Sequence, residues 1–375
     1  MIFVVLAFGF AIISYTALIR YIFVGWSSIK EEVSPDSYED LPSVTVIIAA
    51  RNEAGCIKKC VDSILANDFP KYKFEIIVVD DQSTDNTAEI ASSIDKEVVR
   101  VVTTAGRSGG KKAALEYGIG MAVYPVIITT DADSLVGNKW LGVHSKMHAN
   151  EDIKMTTGLV LPEEDDTVLS RFQWMDFAAT MAITANGKQR CQYYLANGAN
   201  ISYTKQHFIA LSGYEGDRHL ASGDDLFFMN KTVQADPKSI RFVMSRDALV
   251  TTKAESDWRS FVHQRKRWAT KSLAVKDKGV MRIQGFVFGY CLMLLLGIVV
   301  GWLISPVVFW MAVVSLFIKM LVDFLFLSQL AAHFDNKKVM HSFFVCFFIY
   351  FGHILLSGWH ALFPTPYVWK ERHSS

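Results

Sequence analysis

An α/β protein with a parallel, nucleotide-type sheet and membrane helices at both ends is the fold class that the sequence predicts. Three observations predict it. Short, uninterrupted apolar runs rich in β-branched residues end in polar or acidic turns, as strands buried on both faces of a sheet do. Two such runs are each followed by a polar turn and a helical stretch, the repeat that generates parallel strands. Finally, 51% of the 375 residues are hydrophobic and mean hydropathy is +0.23, more apolar than a soluble chain requires, with long apolar stretches near both ends. A net charge of +1 offers no general attraction for nucleic acid, so that partner class is not expected. The five cysteines, Cys56, Cys60, Cys191, Cys291 and Cys346, show no metal-ligand spacing and read as reduced thiols.

Residues 1–26 come first. Ile2 to Trp26 is nearly all apolar and long enough to span a bilayer, with Arg20 placed to snorkel and Trp26 suited to the interface. It lacks the basic start, shorter core and small-residue cleavage site of a secretory signal, so it reads as an uncleaved anchor. Positive charge follows it at Arg20 and Lys30, which puts the next segment in the cytoplasm. Residues 27–41 are an acidic linker containing Pro35, and 42–250 form the globular domain. There, Val44 to Ala50 (VTVIIAA) is a buried strand with Arg51, Asn52 and Glu53 at its carboxyl end, and a helix follows through Leu65. Phe74 to Val79 is the second strand, ending in Asp80 and Asp81 before QSTDNT opens another helix. Asp80 and Asp81 either cap that helix or, at the sheet rim, accept from the N3–H of a uracil ring. Gly106 to Ile119 is a glycine-rich turn entering a helix with Lys111 and Lys112 in its opening turn. Those residues suit an anion cradle, or the lysines are solvated charges.

Chemistry concentrates in VIITTDADS, Val126 to Ser134. A buried strand runs out at Asp131 and Asp133, two carboxylates one residue apart. Ligands of open α/β sheets collect at the carboxyl ends of strands, so this pair can share a hard divalent cation that also takes phosphate oxygens. The competing reading is an Asp-rich turn capping local N–H groups. Further on, Asn197 to Asn200 form a small polar turn, and Asp224-Asp225 stands before an apolar helical run, where capping and catalysis are compatible. Residues 251–283 include WRSFVHQRKRWATKS, a basic helical stretch suited to an anionic membrane surface. Residues 284–375 then hold about three spans: Gly285 to Ile304, Val307 to Ala331 after the Ser305-Pro306 break, and Ser342 to Phe363. Lys319 and Asp323 sit four apart within the second, positioned to pair. The charged tail WKERHSS would emerge outside, so the last span is also open to a re-entrant or interfacial placement.

From about Pro42 to Trp268 the sequence resembles the family 2 glycosyltransferases, through VTVIIAARNEA, EIIVVDDQSTDNT, GKKAAL, DAD, NGANISY with SGY, SGDDL and QRKRW, in that family's order. The QxxRW pattern is similar to that of membrane-embedded cellulose, chitin and hyaluronan synthases and of ceramide glucosyltransferases. The resemblance implies a GT-A fold with a mixed, mostly parallel sheet, a nucleotide-sugar donor, a divalent metal (Mg²⁺ or Mn²⁺) and inversion at the anomeric carbon. It sets Ala49, Arg51, Glu53, Asp80, Asp81, Lys111, Asp131 and Asp133 on the donor side, the last two also holding the metal. It makes Asp225 the base, although relatives have Glu-Asp at Asp224-Asp225, and it sets Asn197, Asp224, Gln264, Arg267 and Trp268 around the acceptor.

The expected protein is therefore a multi-pass enzyme of the inner (plasma) membrane with a cytoplasmic catalytic domain. It would move sugar from a nucleotide-sugar, a UDP-sugar by resemblance, to a hydroxyl of a lipid or growing glycan. A processive polysaccharide synthase is the alternative within the class. From another class, a membrane-anchored nucleotide-sugar-binding protein without catalysis also stands.

Overall fold

The computed structural model describes residues 2–104, 110–192, 195–215, 223–275, 278–362, 367–369 and 372–374. The chain divides into a helical unit, Met1–Ser28 with Glu164–Tyr193 and Ala254–Ser375, and an α/β unit, Ile29–Glu163 with Tyr194–Lys253. Helix α1 (Ile2–Ser27) opens the helical unit.

The α/β unit begins with strands β1 (Val44–Ala50), β2 (Phe74–Asp80), β3 (Val99–Thr103) and β4 (Val126–Asp131), all mutually parallel. Helices α2 (Ile57–Leu65), α3 (Thr87–Ser92) and α4 (Gly110–Met121) connect them. Strand β5 (Leu135–Val136), helix α5 (Trp140–His148), and strands β6 (Met155–Gly158) and β7 (Val160–Pro162) follow. The chain then leaves for α6 (Val168–Gln189) of the helical unit. It returns with β8 (Ile201–Thr204), α7 (Lys205–Ala210), α8 (Asp224–Ala235), β9 (Ile240–Val243) and β10 (Val250–Thr252). The main sheet runs β3-β2-β1-β4-β8-β6-β9, antiparallel only where β8 meets β4 and β6, and a small second sheet runs β5-β10-β7. The expected mixed, mostly parallel sheet is thus present.

This order sets the position of the site. The chain runs from β1 outward through β2 to β3, then returns to lay β4 on the other side of β1. Sheet order reverses there, and such a reversal opens a crevice beyond the carboxyl ends of the strands. Ala49 pairs with Asp131 across β1 and β4, and Ala50 with Asp80 across β1 and β2, so the acidic residues reach that edge together. Below them Ile47, Ile77 and Ile127 pack with Ala114, Leu115 and Ile119 of α4, all buried. A Cβ on Gly118 would lie 2.8 Å from Ile47 Cγ2 and 2.9 Å from Val79 Cγ2, so α4 rests on the sheet where only glycine fits. Gly118→Val should therefore destabilise the protein by about 1–3 kcal/mol and displace Lys111 at the start of α4. Thermal unfolding in detergent checks the first effect and donor affinity the second.

On the far side of β4, a buried polar cluster joins α5 to β6 and β8. His144 Nδ1 is 3.0 Å from both Thr156 Oγ1 and Ser202 Oγ, and its Nε2 is 2.8 Å from Asn200 Oδ1. His148 Nε2 lies 2.7 Å from Ser202 Oγ, and Trp140 Nε1 donates to Asn200 Oδ1. Burial pushes His144 down to about 4 and His148 down to about 3, so both rings are neutral. Asn200, read from the sequence as part of a small polar turn, is wholly buried and serves as a joint in this cluster.

In the helical unit, α9 (Trp258–Val275), α10 (Lys278–Ile304), α11 (Pro306–His333) and α12 (Phe343–Leu362) follow, then a short hairpin of β11 (Tyr367–Trp369) and β12 (Arg372–Ser374). Among the described residues, four helical stretches are long and apolar enough to cross a membrane: Ile2–Ser27, Lys278–Ile304, Pro306–His333 and Lys337–His360. Pro306 occupies the first turn of α11, where its missing N–H costs nothing, which explains the break after α10. Lys319 Nζ meets Asp323 Oδ2 at 2.5 Å, and Tyr15 donates to Asp323 Oδ1, so the expected pair exists and is extended by α1.

Candidate active site

The acidic residues at the sheet rim converge on one lysine. Lys111 Nζ lies 2.6 Å from Asp131 Oδ1 and 3.5 Å from Asp224 Oδ2, with 24% of its side chain exposed. Burial lowers the affinity of this ammonium for its proton, but the charges of Asp131 and Asp224 outweigh that and hold its pKa above the ordinary lysine range. Lys112 is buried, its ammonium 4.5 Å from the centre of the Phe227 ring. Neither lysine is a solvated surface charge, which corrects the reading that the sequence favours for these two residues taken alone. The glycine-rich turn before them, Gly106 to Gly109, lies outside the described residues.

The Asp225 carboxylate is held by backbone. Asp225 Oδ2 accepts from the Gly198 N–H at 3.0 Å and Oδ1 from the Leu226 N–H at 2.8 Å, which fixes the carboxylate's orientation. Asn197 closes its own turn by accepting from the Ala199 N–H. A Cβ on Gly198 would stand 3.4 Å from Lys111 Nζ, 3.5 Å from Asp224 Oδ2 and 3.7 Å from Asp225 Cβ, so Gly198 marks the point where these groups meet. The sequence had suggested an acid pair standing before its helix. Instead Gly223 takes the N-cap position at φ +90°, and Asp224 and Asp225 form the first turn of α8, where the helix dipole stabilises negative charge.

At the carboxyl end of β2, Asp80 is buried, with Oδ2 accepting from the Ser83 N–H and Oδ1 without a hydrogen-bond partner among the described residues. Asp81 accepts from Thr104 Oγ1 at 3.3 Å. Neither forms a side-chain cap on α3, whose N-cap is Asn86. The turns after β1 and β2 are tied together: Asn52, in the left-handed region at φ 55°, accepts from the Thr84 N–H, and the Glu53 N–H donates to Thr87 Oγ1. Arg51 is half-buried beside them, and Ala49 is half-buried below.

Burial, together with the charges of Asp131 and Glu53, pushes the Asp133 carboxyl up to about 6. A cation relieves that repulsion, so the donor set fits a hard divalent metal. No group of three His, Cys, Asp or Glu side chains among the described residues is close enough to hold an ion alone, so diphosphate and water would complete the shell. The neighbouring thiols do not compete: burial raises Cys56 to about 11 and Cys60 higher still. The sign of the pH effect follows. A folded-state pKa above the ordinary 3.8 means that the folded chain holds this proton more tightly, adding stability at low pH that is lost as pH rises towards 6. Metal-free Asp133→Asn should therefore be about 1–3 kcal/mol more stable than wild type at pH 8, and the two should converge near pH 4, as thermal unfolding in EDTA would record.

The remaining sequence candidates lie on α9 in the helical unit. Gln264 Nε2 donates to Glu255 Oε1 at 2.8 Å. Trp268 packs edge-on against Phe177 and lies 4.4 Å from the Arg265 guanidinium. The Arg267 side chain lies outside the described residues. Trp258, a further aromatic of this stretch, rests on Phe172 and Phe261. Two residues that sequence reasoning missed are Asp176 of α6 and Arg265, which meet at 2.7 Å with each side chain 10% exposed. An acid in the middle of a largely buried helix was the only available signal.

Residues 45–204, which carry Lys111, Asp131, Asp133 and Gly198 but not Asp224 or Asp225, match the family model described as "Glycosyl transferase family 2". The fold is GT-A. Among curated proteins, the chain is 26% identical over 253 residues to the "Probable glycosyltransferase YdaM" of Bacillus subtilis, covering 62% of this chain and 56% of that one. It is 31% identical over 104 residues to the "Beta-monoglucosyldiacylglycerol synthase" of Nostoc, covering 27% and 22% respectively. The matches thus span about half of the first relative and under a quarter of the second. Among solved structures, the mannosyltransferase PcManGT from Pyrobaculum calidifontis, in complex with GDP-Man and Mn²⁺, aligns over 96% of this chain and 98% of its own with a TM-score of 0.59 at 18% identity, a likeness of fold.

Proposed function

We propose that the protein is an inverting, metal-dependent glycosyltransferase that moves a sugar from a nucleotide-sugar, of UDP type, to a hydroxyl of a membrane-associated lipid or glycan. The observation that carries this reading is the convergence of Lys111, Asp131, Asp224 and Asp225 around Gly198 at the sheet's switch point. A base orientable through two backbone N–H groups, an ammonium and a desolvated Asp-x-Asp pair are what displacement at an anomeric carbon requires.

Asp225 takes the proton of the acceptor hydroxyl as its oxygen attacks the anomeric carbon, and the bond to the diphosphate breaks on the opposite face. Asp80 or Asp81 receives the N3–H of the base, and Lys111 turns from Asp131 towards the departing phosphates. When bound, a divalent ion held by Asp131 and Asp133 would offset charge on that leaving group. Arg51, Glu53 and Ala49 line the donor side, and Asn197, Gln264, Arg267 and Trp268 serve the acceptor. The four apolar helices among the described residues support a multi-pass protein, and the positive charge at Arg20 and Lys30 favours a cytoplasmic α/β unit. We assign the GT-A domain to 42–250 and the interfacial segment to 251–283, with 164–193 lent to the helical unit.

The test is transfer from radiolabelled nucleotide-sugars into native membranes with Mn²⁺ or Mg²⁺, followed by lipid extraction. Label in the organic phase supports the glycolipid version, and label in a high-mass aqueous glycan supports a processive synthase. No label from any donor would overturn the catalytic reading in favour of a binding protein.

A further inference from the structure

The turn Asn197–Asn200 leads into β8 and carries the Gly198 N–H that donates to Asp225 Oδ2 at 3.0 Å. Asp225 Oδ1 takes the N–H of its own neighbour, Leu226, so Gly198 supplies a donor from outside α8. The direction of the carboxylate therefore depends on where that turn is held. A hydrogen bond of 3.0 Å from the Asn200 N–H to the Asn197 carbonyl closes the turn across Gly198 and Ala199. Gly198 is thus the second residue of a β-turn, and the turn's own hydrogen bond leaves its N–H for Asp225.

Asn200 fixes the far end of the turn through every polar atom it has. Oδ1 accepts from Trp140 Nε1 at 2.9 Å and from His144 Nε2 at 2.8 Å, and Nδ2 donates to the carbonyls of Leu159 at 2.8 Å and Ala248 at 3.2 Å. Its own carbonyl accepts from the Gly158 N–H at 2.9 Å. An amide oxygen only accepts, so the neutral His144 ring holds its proton on Nε2, and Nδ1 is left to accept from the hydroxyls of Thr156 and Ser202. A Cβ on Gly158 would stand 2.5 Å from Asn200 Nδ2, so the end of β6 closes directly on this amide. Asn200, Trp140, His144, Thr156 and Ser202 are all wholly buried. Burying so many polar groups is unfavourable unless each is satisfied, and apolar packing would join α5, β6 and β8 without that cost. The cluster instead sits behind the turn that faces the acid pair. From β4, two residues before Asp131, Thr129 Oγ1 approaches the Gly198 carbonyl at 3.4 Å, so the turn is also tied to the strand that carries the Asp-x-Asp pair.

We propose that Asn200 is a positioning residue: by pinning the turn to α5 and β6 it places the Gly198 N–H, and so sets the direction in which Asp225 presents its carboxylate to the acceptor hydroxyl. The role of that carboxylate as base rests on the transferase reading above; the link from Asn200 through Gly198 to Asp225 does not.

The experiment pairs an amide spectrum with kinetics, both on the full chain in phosphatidylcholine nanodiscs. With ¹⁵N-glycine incorporated, the Gly198 amide is assigned by its loss in Gly198→Ala, and it should lie downfield because its acceptor is charged. Asp225→Asn should shift it upfield. Asn200→Ser, which cannot bridge the Leu159 and Ala248 carbonyls, should also shift it upfield and should lower kcat about 10–100-fold, with donor KM within about twofold. Trp140→Phe keeps an aromatic ring and removes the indole N–H, so it should move both readouts the same way by less, and it serves should Asn200→Ser not fold. An unmoved Gly198 amide in the folded variants overturns the link. A loss carried by donor KM, or an unchanged kcat, overturns the positioning role, because the cluster then only stabilises the fold. Absence of transfer by wild type sinks the transferase reading, while the amide shift still decides whether Asn200 holds the donor to Asp225.

Discussion

Asp225→Asn should lower kcat by about 10²–10⁴-fold while donor affinity stays within about twofold. Asparagine keeps the shape of the side chain and one acceptor for the Gly198 N–H, but it cannot take a proton. The neighbouring acid separates the roles within the pair. Asp224 faces Lys111 at 3.5 Å and is buried, so it supports the ammonium and is poorly placed to exchange protons with an acceptor. Asp224→Asn should therefore act chiefly through donor KM, by about tenfold, with kcat less affected. Steady-state kinetics on the two variants, with donor and acceptor varied separately, distinguishes them. A kcat loss larger in Asp224→Asn than in Asp225→Asn would reverse the assignment.

Removing Asp131 should be nearly as damaging, for a different reason. Asp131→Ala takes away the main partner of Lys111 and half of the Asp-x-Asp pair. The rate should fall on the order of 10²–10³-fold, the usual cost of one fixed electrostatic contact at a leaving group. The Mn²⁺ or Mg²⁺ concentration for half-maximal rate should rise at least about tenfold, because one carboxylate is lost from the set that would hold the ion. EDTA should abolish wild-type turnover reversibly. A variant with reduced rate and an unchanged metal requirement would show that Asp131 acts on Lys111 alone.

The strands were the most legible part of the sequence. VTVIIAA is β1 residue for residue, and FEIIVV differs from β2 only at Asp80, because β-branched runs bounded by acids leave little choice of structure. The long apolar helices were legible from their composition, with ends shifting by one or two residues except at α10, which begins at Lys278 and not at Gly285. What the sequence hid depends on distant contacts. Helix α6 lacks a clean apolar stripe because it is buried on several sides, by α1, α11 and α12, whose residues lie more than 100 positions away in sequence. The cluster of His144, His148 and Asn200 was equally invisible, since its members meet only after β8 inserts between β4 and β6. At the site, Asp131 and Asp133 could be singled out by type and spacing, and Asp225 by the family resemblance. That Lys111 would join Asp131 to Asp224 could not, because it depends on Gly118 letting α4 down onto the sheet and on Gly223 turning α8 at positive φ.

The proposed nucleotide-sugar transfer site at the switch-point carboxylates is tested by nucleoside diphosphate release by the purified full chain, across a panel of donors with Mn²⁺ and a membrane lipid extract, for wild type beside Asp225→Asn. Release should come from one donor class, require the extract and fall to background in the variant. Equal release by both proteins, or none from any donor, would contradict it.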